Sequence, residues 1–384
     1  MMKVATFRSK FYFRYLVVFL TIGSILYLLL YSSEKVDVPF HSSEETVNKN
    51  YTILIWEHGK RMLRRFFYSY GKTELDPFLN CSVRNCELTI HHEDLSRSDA
   101  VMFHLHQTKG PHTLPKLRLP NQIWIFFTDE SPLHTFLLTR KYSMKDYNGY
   151  FNWSMTYRED SDVPTPYGRT IRLTDEERRN LPPLPNFFKQ NHRMVSILGS
   201  NCGGKNRRWH YVRELKKYLQ VDVYGGCGNL KCPGHFTKDC EPMKNYKFYL
   251  AFENSDCREY ITEKLWWNAY HKNTVPVVMG APKEDYVKLC PPNSFLHVDD
   301  FASPLELSKT LLYLSSNETA YNKLFEWKKE YRVSNEHGYL GSPSLHVCRM
   351  CEALNNPKKI PKVYNKLEDF WNPTKDCRPP IWQI

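Results

Sequence analysis

The sequence predicts an α/β protein of two halves, organised on parallel, doubly wound sheet. Three observations predict it: short unbroken apolar runs rich in β-branched and aromatic residues, helical stretches alternating with them in the second half, and a proline-rich break at 179–188. With 384 residues, 41% hydrophobic and 15% aromatic, the chain can fill two cores, and this composition excludes disorder.

In the first half the runs are TILIW (52–56), VMFHL (101–105) and IWIFFT (123–128). Each is continuous rather than alternating, which predicts a strand buried on both faces. After RNLPPLPNFF the pattern becomes regular. MVSIL (194–198), the amphipathic stretch WHYVRELKKYL (209–219) and VDVYG (221–225) form one βαβ unit. KFYLAFE (247–253), a helix from about Thr262, and TVPVVMG (274–280) form another. FLHVD (295–299) adds a strand, and Ser303-Pro304-Leu305-Glu306 reads as a capping box with proline at the first helical position. No internal repeat is present.

The N-terminus carries a different signal. Lys3, Arg8, Lys10 and Arg14 precede the uncharged run Tyr15 to Tyr31, whose 17 residues are near the minimum for a spanning helix. The positive-inside rule then predicts a cytosolic tail (1–14), a signal-anchor (15–31) and a polar stem (32–50), with the remainder luminal. Four sequons agree with that side of the membrane: Asn50, Asn80, Asn152 and Asn317. So do eleven cysteines, an odd number that leaves at least one thiol unpaired. Cys81 with Cys86, and Cys348 with Cys351, form clusters at opposite ends of the globular part. The formal charge of +12 points to a phosphorylated ligand or a solvated surface rather than nucleic acid, which a lumen does not contain.

Parallel sheets bind ligands beyond the carboxyl ends of their strands, and three polar turns lie there. The loop GSNCGGKN (199–206) nearly matches the phosphate-binding G-x-x-x-x-G-K-[ST], but Asn206 stands where a Mg²⁺-binding hydroxyl is needed. An NTPase is thereby disfavoured. The loop keeps the physics of anion binding: Gly203 and Gly204 for close approach, then Lys205, Arg207 and Arg208 at a helix start. An ordinary βα turn with solvated basic residues is the plainer reading.

The second turn, ENSDCREYITEK, offers Asn254 to a sugar or base edge and Tyr260 to stack or donate. It also offers Glu263 to ribose hydroxyls and Lys264 to phosphate. Leu265, Trp266, Ala269 and Tyr270 are assigned to the core. In the third turn, TDESP (128–132), Asp129 and Glu130 compete as general base, with helix capping as the bland role of Asp129. Asp160-Ser-Asp162 has the D-x-D form of metal-dependent sugar transferases but lies in the wrong half and reads as a solvated turn. His104 and His106, without a third ligand, read as structural.

The stretches AFENS, YITEKLWWNA, VPVVMGAP and FLHVDDFASP, nearly continuous over 246–305, resemble the signature of the α1,3-fucosyltransferases, family 10 of the glycosyltransferases. Weaker similarity extends through TDESP, MTYREDSDVPTPYG and the terminal Cys-x-x-Cys. The resemblance implies a GT-B fold of two facing Rossmann-like domains, 51–185 on the acceptor side and 186–345 on the donor side. A segment, 346–384, would pack back on the first. It implies GDP-β-L-fucose as donor, GlcNAc-bearing N-glycans as acceptor, inversion, a Golgi membrane, and no metal required for donor binding, with Mn²⁺ able to stimulate.

By motif, Glu130 would be the base, and Arg208, Asn254, Tyr260, Glu263, Lys264 and Tyr167 would line the donor site. Cys81 and Cys86 would pair with Cys348 and Cys351 in an order left open. Cys257, Cys227, Cys232 and Cys240 are similar to invertebrate and plant-like members. That leans the acceptor towards the innermost GlcNAc, with antenna GlcNAc close behind. The competing class is a catalytically silent glycan-binding protein on the same fold.

Overall fold

Strand β4, Ile123–Thr128, shows why the apolar runs lack alternation: Trp124 and Phe126 enter one core while Ile125 and Phe127 enter another. Successive side chains point to opposite faces, so a strand covered on both sides must be apolar throughout. The computed structural model describes residues 49–380 apart from 58–59, 69–72, 137–138, 140, 233–237, 340–341 and 360–361. The expected tail, membrane span Tyr15–Tyr31 and most of the stem lie outside the described residues. Among those described, no helix is long and apolar enough to cross a membrane.

Strand β4 is central in a six-stranded sheet of order β2-β1-β3-β4-β5-β6, every pairing of which is parallel. Its other members are β1 (Tyr51–Trp56), β2 (Cys86–Thr89), β3 (Ala100–His104), β5 (Trp153–Thr156) and β6 (Val163–Pro164). Strand β7 (Gly168–Arg172) pairs antiparallel with β13 (Tyr331–Asn335) as a separate ribbon. A second parallel sheet has the order β12-β11-β10-β8-β9. It comprises β8 (Arg193–Leu198), β9 (Val221–Tyr224), β10 (Tyr246–Phe252), β11 (Val275–Met279) and β12 (Leu296–His297). All seven residues of β10 are buried. One hydrophobic core runs between the two sheets, joining Leu54, Phe103 and Phe126 of the first to Tyr249, Ala251 and Val278 of the second.

Several elements differ from expectation. The helix expected from Thr262 is one turn, Glu263–Trp266, capped by the Thr262 side chain. It resumes as a 3₁₀ turn at Tyr270–Lys272. FLHVD yields only Leu296–His297 as strand, because His297 Nδ1 accepts from Asp299 N and turns the chain. Ser303 caps the helix Pro304–Ser316, but Glu306 does not complete a box; its carboxylate pairs with Lys309 instead. Strands β2, β5 and β6 were not legible as apolar runs.

The cysteine clusters meet as Cys81–Cys348 and Cys86–Cys351. They bind the helix His346–Leu354 to the first sheet, where Val347 and Met350 complete its outer core. Three further disulfides are Cys202–Cys227, Cys232–Cys240 and Cys257–Cys377, leaving Cys290 as the unpaired thiol.

Two expectations change. Asp160-Ser-Asp162 is a turn solvated at one end only: Asp160 is exposed, though paired with Arg158 and Arg258, whereas Asp162 Oδ2 accepts from Ser154 N, Ser154 Oγ and Tyr364 Oη. Asn152 is buried, its Nδ2 donating 2.8 Å to Lys362 O and its Oδ1 accepting from Trp124 N, so the amide that would carry a glycan is enclosed. Asn50 and Asn80 are exposed.

Glycopeptide mapping after secretory expression is therefore expected to find Asn152 bare. Replacing Cys81 and Cys348 by serine is expected to lower unfolding free energy by about 2–5 kcal/mol, because the bridge spans 267 residues, and denaturant titration measures it.

Candidate active site

Glu130, Tyr167, Arg208, Asn254, Tyr260, Glu263 and Lys264 line one cavity, together with Gly199–Asn201, Gly225, Asn268 and Tyr339. The turns after β4, β8 and β10 build it, because parallel strands deliver their carboxyl ends to one side.

The turn after β10 is fixed by a residue the sequence reading passed over. Glu253, fully buried, accepts at Oε1 from Thr262 N at 2.8 Å and at Oε2 from Lys264 Nζ at 3.0 Å. Thr262 Oγ1 also donates to it. A carboxylate ending an otherwise apolar strand was the available signal. Burial raises the Glu253 carboxyl above its ordinary range, and Lys264 opposes that shift. The same ammonium lies 3.3 Å from Glu263, whose carboxyl it holds below the ordinary range against burial. Burial lowers Lys264 and the two carboxylates more than restore it, so it stays cationic.

The glycine-rich loop folds onto this turn. Gly204 has φ +143°, and a Cβ there would meet Asn254 O at 3.3 Å while Lys205 N donates to that carbonyl. Asn206, which spoils the NTPase pattern, is a structural tie: its Nδ2 donates to Glu253 O and Asp256 Oδ1. Lys205 and Arg207 are exposed and do not line the cavity. Arg208 does. Its Nη1 donates to Phe252 O at 3.0 Å and Nη2 to Asn201 O at 2.8 Å, while its buried Nε has no hydrogen-bond partner among the described residues. No carboxylate pairs with it among those residues, so its charge is free for an anion.

On the facing turn, Glu130 Oε2 accepts from Tyr260 Oη at 3.1 Å. Burial first, and the adjacent Asp129 charge second, push the Glu130 carboxyl above the usual glutamate range. Asp129 neither caps a helix nor can serve as base. Its oxygens accept from Arg65 Nη2 (2.9 Å), His104 Nε2 (3.3 Å) and His337 Nε2 (3.0 Å). Although burial opposes it, Arg65 leads these partners in holding Asp129 well below the ordinary range. Tyr167 Oη donates to Asp129 O at 2.6 Å, and its ring lies flat on His337 at 3.9 Å. Tyr167 therefore offers the cavity a ring rather than a hydroxyl. His104 is structural, as expected, and His106 Nδ1 lies 3.3 Å from His134 O. Among the described residues no three His, Cys, Asp or Glu side chains converge as a metal site.

Comparison with known proteins agrees with this geometry. The family description "Glycosyltransferase family 10 (fucosyltransferase) C-term" matches residues 188–371, and "Fucosyltransferase, N-terminal" matches 48–168. Glycoprotein 3-alpha-L-fucosyltransferase A of Drosophila melanogaster is 35% identical over 80% of this chain, which spans only 59% of that relative's length. Alpha-(1,3)-fucosyltransferase 7 of Rattus norvegicus is 36% identical over 83% of this chain and 79% of its own. Alpha-(1,3)-fucosyltransferase fut-1 of Caenorhabditis elegans is 31% identical over 87% and 74%. A crystal structure of an α1,3-fucosyltransferase with GDP-fucose shares the fold: TM-score 0.50, 18% identity, 84% of this chain and 95% of that one. With matches along both halves and a cavity built by the signature residues themselves, the chain belongs to glycosyltransferase family 10, the fucosyltransferases.

Proposed function

We propose that this chain transfers L-fucose from GDP-β-L-fucose, with inversion, to O-3 of GlcNAc on N-glycans, core GlcNAc slightly favoured over antenna GlcNAc. The observation that carries the reading is the placement of Glu130 in the same cavity as Arg208 and Lys264, held there by Tyr260 of the donor turn. In a single displacement the acceptor oxygen attacks the anomeric carbon of fucose while its proton passes to a carboxylate, and the bond to the β-phosphate oxygen breaks. Glu130 takes that proton. The charge that develops on departing GDP meets Arg208, whose guanidinium donates to two neutral carbonyls and, among the described residues, pairs with no carboxylate. Lys264 contributes less, since Glu253 and Glu263 already offset it.

Asn254 and Glu263 face the same space with groups suited to sugar and ribose hydroxyls. Donor binding in this reading relies on these side chains and needs no metal, and Mn²⁺ would act only as a stimulant. The N-terminal run Tyr15–Tyr31 supports a type II anchor in the Golgi membrane, with the catalytic part luminal. The five disulfides suit that oxidising compartment.

Glu130→Gln is expected to lower kcat by about 10²–10⁴-fold while calorimetry shows GDP bound within about twofold of the parent; retained transfer would reassign the base. Arg208→Lys loses the planar fork and is expected to weaken GDP binding by about tenfold or more, with transfer falling further because leaving-group charge is greatest in the transition state. Steady-state kinetics with GDP-fucose and a GlcNAc-terminated N-glycan reads both.

A further inference from the structure

Directly beneath the base is a buried ionic cluster that the reaction as described does not use. Asp129 precedes Glu130 in the chain and is 5% exposed, yet three side chains from separate segments converge on it. They are Arg65 of the helix Lys60–Phe66, His104 at the end of β3 and His337 just after β13. Arg65, also buried, donates in addition to Tyr339 Oη at 3.1 Å. Burial brings His337 down to about 4 and lowers His104, so both rings are neutral at physiological pH and donate Nε2–H to the carboxylate. A buried ion pair is a weak source of stability, since a well-packed apolar pair often does as well. Its presence next to a base needs another explanation.

We propose that Asp129 is a positioning residue for the transfer reaction: its clamped negative charge fixes the turn that aims Glu130 and acts on the neighbouring carboxylate through space. The inference rests on the reading of Glu130 as general base. Two geometric facts carry it. The clamp consumes both oxygens of Asp129, so its charge sits at a fixed place. The backbone of the same residue is bolted at 2.6 Å by the Oη of Tyr167, whose ring lines the cavity.

The groups that act most on Glu130 from the surrounding elements are Asp129 in its own turn, His106 after β3, Tyr260 across the cleft and Lys264 at the helix start, with Tyr167, Arg208 and Glu263 lining the same cavity. Among the first four, Asp129 supplies the negative charge that raises Glu130. An anion beside a carboxylate makes it hold a proton more strongly, which gives the proton-accepting step more driving force near neutral pH. The cost is that Glu130 becomes protonated, and inactive, at a higher pH than an ordinary glutamate.

The test is the pH profile of kcat for the full chain. For the parent, the acid limb is expected clearly above the ordinary glutamate value of about 4.3; a limb at or below that value overturns the proposal. Asp129→Asn alone strands the buried Arg65 cation and is expected to melt earlier. The informative protein is therefore Arg65→Met with Asp129→Asn, which removes both charges together. Its acid limb is expected to move down by about 0.5–1 pH unit, with a pH-independent kcat about 3–10-fold lower and KM for GDP-fucose within about twofold. An unmoved acid limb in that double variant, with normal GDP affinity, would show the cluster to be structural only. Glu130→Gln run alongside separates the two levels of the argument: if it remains active, the base assignment fails, whatever the double variant does.

Discussion

Among the polar contacts that join the two sheets, two hydrogen bonds link the turn after β4 directly to the turn after β10. Tyr260 Oη reaches Glu130 at 3.1 Å, and Ser255 Oγ reaches Ser131 Oγ at 2.7 Å with both serines fully buried. Around them Tyr260 packs edge to face on Tyr167 and at a tilt on Tyr157, rings that belong to the first half of the chain. In the proposed reaction the base, Glu130, comes from one sheet and the donor groups Asn254, Glu263 and Lys264 from the other. These contacts fix the two turns against each other at the cavity itself, where an error of an ångström is costly in rate. The aromatic core continuing between Leu54, Phe126, Tyr249 and Val278 serves the same constraint.

Charge in this cavity is arranged for placement more than for stability. Glu253 is satisfied three ways, by Thr262 N, Thr262 Oγ1 and Lys264, so the strand-to-helix turn has one available geometry. Desolvating each ion costs several kcal/mol, and mutual attraction only offsets it when every remaining lone pair is used. Lys264 is spent largely in that way. Arg208, by contrast, is desolvated against carbonyl oxygens, and among the described residues no carboxylate pairs with it directly. In the proposed reaction an incoming diphosphate would complete what the protein leaves incomplete there, which favours the guanidinium over the ammonium as partner of the leaving group.

The sequence made the strands and the donor turn legible because both follow local rules. Continuous apolar runs at 123–128 and 247–253 read as strands covered on two faces, and signature residues within a dozen positions of one another point to a shared site. Asn254, Tyr260, Glu263 and Lys264 share the cavity for that reason, and Glu130, Tyr167 and Arg208 reach it from other segments. What stayed hidden depends on long-range contact. Asp129 looked like a cap or a rival base until Arg65, 64 residues earlier, and His337, 208 later, were seen to take its oxygens. Asn152 looked like any other sequon until Lys362, 210 residues on, took its amide. Short strands such as β5, WSMT, carry too little periodicity to be read alone.

The remaining disulfides follow from what loops at strand ends must do. A loop lining a polar site cannot bury apolar side chains to hold its shape, and its backbone groups must stay available to ligand. Cys202–Cys227 ties the glycine-rich loop to the loop after β9, Cys232–Cys240 closes a wall of the cavity, and Cys257–Cys377 pins the donor turn to the C-terminal segment. All three act within or next to segments that line the cavity, whereas Cys81–Cys348 and Cys86–Cys351 act on the outer core. Covalent pins at the rim hold the loops in the binding shape before the donor arrives. The ordering entropy is then met during folding rather than during each encounter, and the donor's binding energy is left for the transition state.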